Sequence, residues 1–188
     1  MSEAVTAMQM AEFDGLCRVA DAGLQGMIVL RGDLGSDALR SAVQDLTGAG
    51  VPKVRRVLSK GTFSVLWMSP DELMILCPYA QADAHVATLA KALEGQHALV
   101  ANLSDARAVF ALTGAGLREV VAKVAPIDMA PGAFGPGDIR RTRFAQVSAA
   151  VWMTDDTSAR VVCFRSVAEY MFNLLRTAAH PGAGVGFF

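Results

Sequence analysis

One hairpin pattern occurs twice in this sequence, and the repeat limits the folds open to the chain. The first copy, VLWMSPDELMILCP, covers residues 65–78, and the second, AVWMTDDTSARVVCF, covers residues 150–164. In each copy two apolar runs flank a Ser/Thr-x-Asp corner, the composition of a tight β-hairpin. An alignment on the Trp-Met pairs matches Trp67 with Trp152 and Asp71 with Asp156, and leaves Cys77 one residue short of the register of Cys163.

The predicted elements around the two hairpins follow the same order. A strand, a glycine turn and a helix precede each hairpin, and a second helix follows it. In the first half these are a strand at 27–30 and helices at 37–46 and 82–93; in the second they are a strand at 109–112 and helices at 117–124 and 167–178. This order predicts an α+β fold of two tandem ferredoxin-like β-α-β-β-α units, with mixed or antiparallel sheets and helices packed on one face.

Four segments follow from this order: an N-terminal arm at 1–25, a first α+β unit at 26–102, a second unit at 103–180 and a C-terminal tail at 181–188. The arm has weak periodicity and is predicted to be mobile in the free chain. Further strands are predicted at 51–59, 62–68 and 97–103, and, after a loop rich in proline and glycine at 126–138, at 139–147 and 149–153.

Composition and charge exclude several classes of protein. The net charge of −1 gives no field that would attract nucleic acid or an anionic membrane. The start of the chain lacks the basic residues of a secretory signal, and no apolar run is long enough to span a membrane, so we expect a cytoplasmic protein. Hydrophobic residues make up 53% and charged residues 19%. Either partner-covered surface patches or the many Ala and Gly residues account for this apolar bias.

The sequence offers no strong catalytic or metal-binding pattern. His85, His97 and His180 lie on different elements, without the close spacing of metal ligands, so we expect no metal site. The odd number of cysteines (Cys17, Cys77 and Cys163) argues against a disulfide framework, and Cys17 is expected to be buried or inert rather than reactive.

Three polar clusters have simple structural explanations. The Thr113-Gly114-Ala115-Gly116 stretch lacks the third glycine of a dinucleotide fingerprint and is predicted to be a helix-entry turn rather than an anion cradle. On a strand, Arg141 and Arg143 share a face and Arg140 points away, which favours a solvated strand or contacts with an acidic partner. Asp155 and Asp156 occupy the hairpin corner, where Asp is expected for turn formation.

The second unit resembles a known family. The stretches LSDARAVFALTG, RRTRFAQ and FRSVAEYMF are similar to the folate-binding fold of aminomethyltransferases, the glycine-cleavage T-protein group, and most closely resemble the gamma subunit of bacterial heterotetrameric sarcosine oxidase. The resemblance covers residue 26 to the end of the sequence. These motifs consist of packing and turn residues, so they identify a subunit family rather than a catalytic centre.

The resemblance implies a complex that oxidatively demethylates sarcosine, transfers the one-carbon unit to tetrahydrofolate and passes electrons through flavins to oxygen. It also implies that FAD, FMN, NAD and folate bind to other subunits, chiefly to larger ones, and that the large alpha subunit is the main partner. Catalytic members of the fold carry an acidic residue on the strand that leads into the second hairpin. Here residues 139–153 contain no Asp or Glu, and Gln146 and Val147 occupy the corresponding region. The Lys-Gly-Cys signature of the folate-dependent iron–sulfur relatives is also absent, since Lys60-Gly61 continues as Thr62-Phe63.

We therefore expect a non-catalytic structural subunit with no catalytic, cofactor-binding or metal residues of its own. Its contact surface is predicted to include the N-terminal arm, the loop at 131–138 and the tail at 182–188, with Phe187 and Phe188 as anchors. The alternative for the tail is that it folds back onto its own core. Two alternatives for function stay open: a stand-alone folate-dependent transferase that uses another acid such as Asp105, and a self-sufficient homo-oligomer.

Overall fold

Residues 3–188 are described by a computed structural model, and they form two compact units. The first unit is Gln25–Asp105, and the second combines residues 3–24 with residues 106–188. The strands are β1 (Glu12–Asp14), β2 (Arg18–Asp21), β3 (Gly26–Arg31), β4 (Val57–Lys60), β5 (Phe63–Ser69), β6 (Glu72–Cys77), β7 (Leu99–Asn102), β8 (Arg107–Thr113), β9 (Ile139–Phe144), β10 (Val147–Asp155) and β11 (Ser158–Phe164). The helices are α1 (Asp37–Thr47), α2 (Ala82–Ala92), α3 (Leu117–Val124) and α4 (Ala168–Ala178).

Each unit contains one sheet whose neighbouring strands run antiparallel. The first unit has the order β4-β5-β6-β3-β7, and the second has β1-β2-β8-β11-β10-β9. The predicted α+β class with antiparallel sheets is confirmed. Local signals set the helix ends: Ser36 accepts a hydrogen bond from the Leu39 N–H at the start of α1, and Gly48 ends α1 in a left-handed conformation.

The helices of each unit pack against one face of its sheet. In the first unit Leu39 and Val43 of α1 and Leu89 of α2 join the inward residues of β3, β5 and β6. In the second unit Val120 of α3 and Leu175 of α4 join the inward residues of β8, β10 and β11. Each fully buried aliphatic side chain of this kind stabilises the fold by about 1.5–3 kcal/mol.

The two hairpins are structurally equivalent, but their register differs from the register predicted from the tryptophans. Cys77 pairs with Gly26 of β3, and Cys163 pairs with the corresponding Ala108 of β8. Each hairpin also has a bulge just before its turn, after Trp67 in the first and after Met153 in the second.

Trp67 is therefore equivalent to Met153, and Asp71 to Thr157, which corrects the matches of Trp67 with Trp152 and of Asp71 with Asp156. Successive side chains on a strand point to opposite faces, so a shift of one residue places the two tryptophans on opposite faces of their sheets. Trp152 is 2% exposed and lies on the face away from the helices. Trp67 is only partly buried.

The N-terminal segment also differs from its prediction as an arm at 1–25. Residues 3–24 belong to the second unit, where β2 pairs with β8 and β1 extends the sheet. Val19 of β2 is fully buried. The Asp21 carboxylate accepts hydrogen bonds from the Met8 and Gly23 N–H groups at 3.0 and 3.1 Å. Strands of three and four residues are too short to show periodicity, and β8, the strand that holds β2 in the sheet, lies far along the chain. Met1 and Ser2 lie outside the described residues.

Other elements are shorter than predicted or divided differently. The strand predicted at 51–59 begins only at Val57 and extends to Lys60, because Pro52 lacks an N–H group and Arg55 adopts a left-handed conformation with φ 61°. The strand predicted at 97–103 is confined to Leu99–Asn102, and the one predicted at 139–147 ends at Phe144, before a turn that includes Ala145. The first unit ends after Asp105 rather than after residue 102.

Candidate functional site

The histidines and cysteines of the described chain do not form a reactive centre. His85 contacts Gln81 at 3.3 Å and the Phe63 ring, and His180 accepts a hydrogen bond from Gly182 N. Among residues 3–188, no group of three His, Cys, Asp or Glu side chains is placed to hold a metal ion. All three cysteines are free and buried. Burial raises the thiol pKa of Cys17 and Cys163 to about 11 and also raises the pKa of Cys77, which leaves little reactive thiolate at neutral pH.

The turn between β8 and α3 packs closely against residues 16–17 of the same unit. Gly116 lies so close to Leu16 that a Cβ atom at Gly116 would be 2.5 Å from the Leu16 carbonyl oxygen. Gly114 (φ 125°) likewise approaches the backbone of Cys17. The Leu117 N–H donates to the Gly114 carbonyl at 3.2 Å as the chain enters α3, so this stretch is the predicted helix-entry turn.

The charged clusters noted in the sequence also have structural roles. Arg141 and Arg143 of the edge strand β9 are exposed, whereas the Arg140 guanidinium lies 5.3 Å from the centre of the Phe134 ring. The Asp155 carboxylate accepts a hydrogen bond from the Thr157 N–H at 2.9 Å, which lowers the pKa of Asp155. The hairpin corner therefore uses Asp for turn formation, as predicted.

The strand pair at residues 139–153, where the resemblance leads us to expect an acid in catalytic members, contains no Asp or Glu. Gln146 and Val147 lie at the β9–β10 turn, where the Ala145 N–H donates to the Val124 carbonyl at 2.7 Å. Asp105, the acid considered for the alternative function, is exposed and accepts a hydrogen bond from the Tyr79 hydroxyl at 2.9 Å. Neither place combines an acid with a base, a nucleophile or a phosphate cradle.

The most elaborate polar arrangement lies on α3, at two consecutive charged residues that are almost completely buried. Arg118 donates from Nη1 to the carbonyl oxygens of Met129 and Phe134, both at 2.7 Å. Both acceptors belong to the irregular stretch between α3 and β9, whose Met129 and Phe134 side chains are fully buried. This loop is therefore fixed to α3.

Glu119 holds the tail in a similar way. Its two carboxylate oxygens accept hydrogen bonds from the N–H groups of Val185 and Gly186 at 2.6 and 2.9 Å. The Lys123 ammonium lies 3.0 Å from the same carboxylate and donates to the Ala178 carbonyl at 3.1 Å. These contacts, with the Val185 hydrogen bond first, lower the pKa of Glu119 to about 2. The tail backbone thus returns to its own unit, the alternative left open by the sequence, whereas Phe187 and Phe188 keep exposed side chains.

The roles of Arg118 and Glu119 are not predicted by the sequence. The only sequence signal is the i,i+4 spacing of Glu119 and Lys123, which is also typical of an ordinary solvated helix face. The acceptors of Arg118 are backbone carbonyl groups, and the tail donors to Glu119 are backbone N–H groups. Such groups are present whatever the residue type, so the sequence does not reveal these contacts.

Comparisons with known proteins assign the chain to a family and a fold. The sarcosine oxidase, gamma subunit family matches residues 31–180. Sarcosine oxidase subunit gamma from Arthrobacter sp is 31% identical over 173 residues, which cover 88% of this chain and 82% of that protein. Its counterpart from Corynebacterium sp. (strain P-1) is 31% identical over 163 residues, which cover 85% of this chain and 77% of that protein.

Solved structures agree with this assignment. A chain of the heterotetrameric sarcosine oxidase from Corynebacterium sp. U-96 matches with a TM-score of 0.80 and 27% identity, covering 94% of this chain and 91% of that chain. The glycine cleavage system aminomethyltransferase T from Bartonella henselae matches with a TM-score of 0.59 and 13% identity, covering 82% of this chain and 44% of that chain, and so shares the fold. No helix among residues 3–188 has the length and apolar character needed to cross a membrane.

Proposed function

The chain belongs to the sarcosine oxidase gamma subunit family, and from that premise we propose that it is a non-catalytic structural subunit of a heterotetrameric sarcosine oxidase. The observation that carries the proposal is the TM-score of 0.80, over nearly the full length of both chains, with a chain of such a heterotetramer. The proposed complex oxidatively demethylates sarcosine in the cytoplasm and transfers the one-carbon unit to tetrahydrofolate.

In this proposal the chain contains no catalytic, cofactor-binding or metal residues. The absence of Asp and Glu from residues 139–153 supports this, because that strand pair then offers no general base. The buried thiols of Cys17 and Cys163, whose pKa values are about 11, are poor nucleophiles. FAD, FMN, NAD and tetrahydrofolate are assigned to other subunits.

The principal partner in this proposal is the large alpha subunit. The chain shares its fold with an aminomethyltransferase. The ordered tail with exposed aromatic side chains supports such a role, because aromatic residues are enriched among the anchors of protein interfaces.

Co-expression with the other three candidate subunits tests this assignment. We expect one complex that contains all four chains and demethylates sarcosine, and we expect the isolated chain to show no turnover. In calorimetric titrations with tetrahydrofolate, the isolated chain should give no heat of binding. Micromolar binding by the isolated chain would instead support the stand-alone folate-dependent transferase. The contact of Asp105 with the Tyr79 hydroxyl does not favour that alternative.

A further inference from the structure

The tail at residues 181–188, called the strap below, has an ordered backbone. Residues 182–186 contain four backbone N–H groups with acceptors: Gly182 to His180 Nδ1, Ala183 to the His180 carbonyl, and Val185 and Gly186 to Glu119. Gly186 has a φ of 68°, in the left-handed region that favours glycine. The path of the backbone up to the two terminal phenylalanines is therefore fixed.

The side chains on this fixed backbone face solvent. Val185 is 72% exposed, Phe187 81% and Phe188 44%. The two rings contact each other edge to face, with centroids 5.0 Å apart and planes at 85°. Single exposed apolar side chains are ordinary on protein surfaces, but three of four consecutive residues on an immobilised backbone form a contiguous apolar projection.

Glu119, which binds the backbone of the strap, is itself fixed by neighbouring groups of α3 and α4. The Glu119 side chain is only 10% exposed and lies within 3.0 Å of Lys123, which in turn donates to the Ala178 carbonyl at the end of α4. Charge-assisted hydrogen bonds of this kind are stronger than neutral ones. Because the backbone is already ordered, a binding partner does not have to supply the free energy of ordering it.

The side chains of the strap indicate what kind of partner surface would be complementary to it. Residues 181–188, PGAGVGFF, contain no charged side chain and no side-chain hydrogen-bond donor. A complementary surface is therefore an apolar pocket, where burial of the two rings supplies the binding free energy.

We propose that Val185, Phe187 and Phe188 form a preformed anchor that inserts into an apolar pocket on the large alpha subunit, and that Glu119 is the positioning residue that holds this anchor ready. This inference rests on the proposed function, which supplies the other subunits. It adds the apolar character of the partner site and a role for Glu119 of α3 in holding the anchor.

The test measures the dissociation constant between this chain and a preparation of the other subunits, by biolayer interferometry on full-length variants. The double variant Phe187→Ala/Phe188→Ala should bind about 100-fold more weakly. Glu119→Gln, which keeps both rings, should bind about 10-fold more weakly. Tyr170→Ala, which removes an aromatic side chain 47% exposed on α4, serves as the matched control and should change binding less than about twofold.

Two additions separate positioning from general destabilisation. Gly186→Ala meets no atom within 4 Å but strains the left-handed turn of the tail, so it should weaken binding while the circular dichroism spectrum of the folded chain stays unchanged. In a background that lacks all three anchor side chains, Val185→Ala/Phe187→Ala/Phe188→Ala, Glu119→Gln should produce no further loss of affinity, whereas a purely structural effect of Glu119 would add to it.

Wild-type affinity of the double Phe variant overturns the anchor, even if the complex forms and the proposed function holds. An additive effect of Glu119→Gln overturns the positioning role. If the double Phe variant abolishes self-association of the isolated chain and leaves assembly intact, a second copy is the occupant, and the proposal is likewise wrong. Failure of the wild-type chain to bind the other subunits at all would instead contradict the proposed function itself.

Discussion

Arg118 and Glu119 are neighbours on α3, and each binds the backbone of a different distant segment. Arg118 donates to the carbonyl groups of Met129 and Phe134, while Glu119 accepts from the N–H groups of Val185 and Gly186. Buried charges are tolerated in proteins only when their hydrogen-bonding capacity is satisfied, and here backbone groups satisfy it. A helix of eight residues thereby fixes two irregular segments of the second unit.

Arg118→Met should destabilise the second unit. Methionine keeps much of the apolar stem but leaves the Met129 and Phe134 carbonyl oxygens without their donor in a buried site. We expect a loss of about 3 kcal/mol in the free energy of unfolding, measured by urea denaturation with circular dichroism. Arg143→Met, at an exposed position on β9, is the control and should stay within about 0.5 kcal/mol of wild type. Equal stability of the two variants would show that the Arg118 contacts contribute nothing.

The contribution of Glu119 should depend on pH. Its pKa falls from an ordinary value of 4.5 to about 2 in the folded protein. A carboxyl group with a depressed folded pKa stabilises the fold above its unfolded pKa, and this stabilisation is lost as the pH falls through the folded value. We therefore expect Glu119→Gln to be less stable than wild type at neutral pH, and the difference to shrink between pH 4.5 and 2. Urea midpoints across this range test the prediction, and a constant difference would contradict it.

Gly15 and Gly116 should not tolerate a side chain. A Cβ atom at Gly15 would lie 2.0 Å from the Ala179 carbonyl oxygen, where the Leu16 N–H donates at 2.7 Å, and one at Gly116 would lie 2.5 Å from the Leu16 oxygen. Each alanine variant should lose about 2 kcal/mol of stability, because backbone atoms cannot move aside cheaply. Gly135→Ala, whose Cβ would meet only the Asp138 carboxylate at 4.0 Å, should be nearly neutral. Thermal melts of the three variants test whether the first two lose stability and the third does not.

The cysteines should be unreactive in the native protein. A thiol with a pKa near 11 is ionised in only about one molecule in a thousand at pH 8, and burial also blocks access to Cys17 and Cys163. We expect iodoacetamide to leave all three thiols unmodified in buffer and to modify all three in guanidinium chloride, as read by mass spectrometry. Rapid native modification of Cys17 would show that its segment opens readily.

The two tryptophans should report different environments. Trp67→Phe leaves Trp152, which is 2% exposed, and should emit at shorter wavelength with little quenching by acrylamide. Trp152→Phe leaves the partly buried Trp67 and should emit at longer wavelength with stronger quenching. Identical spectra and quenching constants would favour the register in which the two tryptophans are equivalent.

Local patterns predict much of the fold. The apolar stripe of Leu117, Val120 and Val121 predicts α3 with its observed ends, and the Ser-Pro-Asp and Thr-Asp-Asp corners predict both hairpins. The hairpin register could not be obtained in this way, because residue identity favours the tryptophan match whereas the bulges and the pairing of Cys77 and Cys163 with β3 and β8 decide it.

The elements that the sequence misses depend on contacts with distant segments. β2 is a strand because β8 offers an edge to pair with, β1 then pairs with β2, and the loop after α3 is ordered because Arg118 reaches its carbonyl groups. Neither requirement selects a distinctive residue pattern, since a backbone N–H or carbonyl group is present at nearly every position.

The sequence by itself determined the repeated unit, the α+β class, the lack of an acid in residues 139–153 and the family resemblance, because each depends on residue type or short-range periodicity. Only the tertiary structure decided the strand register, the place of residues 3–24 and the double role of α3. These depend on which backbone groups meet across the fold, and hydrogen bonds between distant backbone atoms form wherever packing brings them together, whatever side chains they carry.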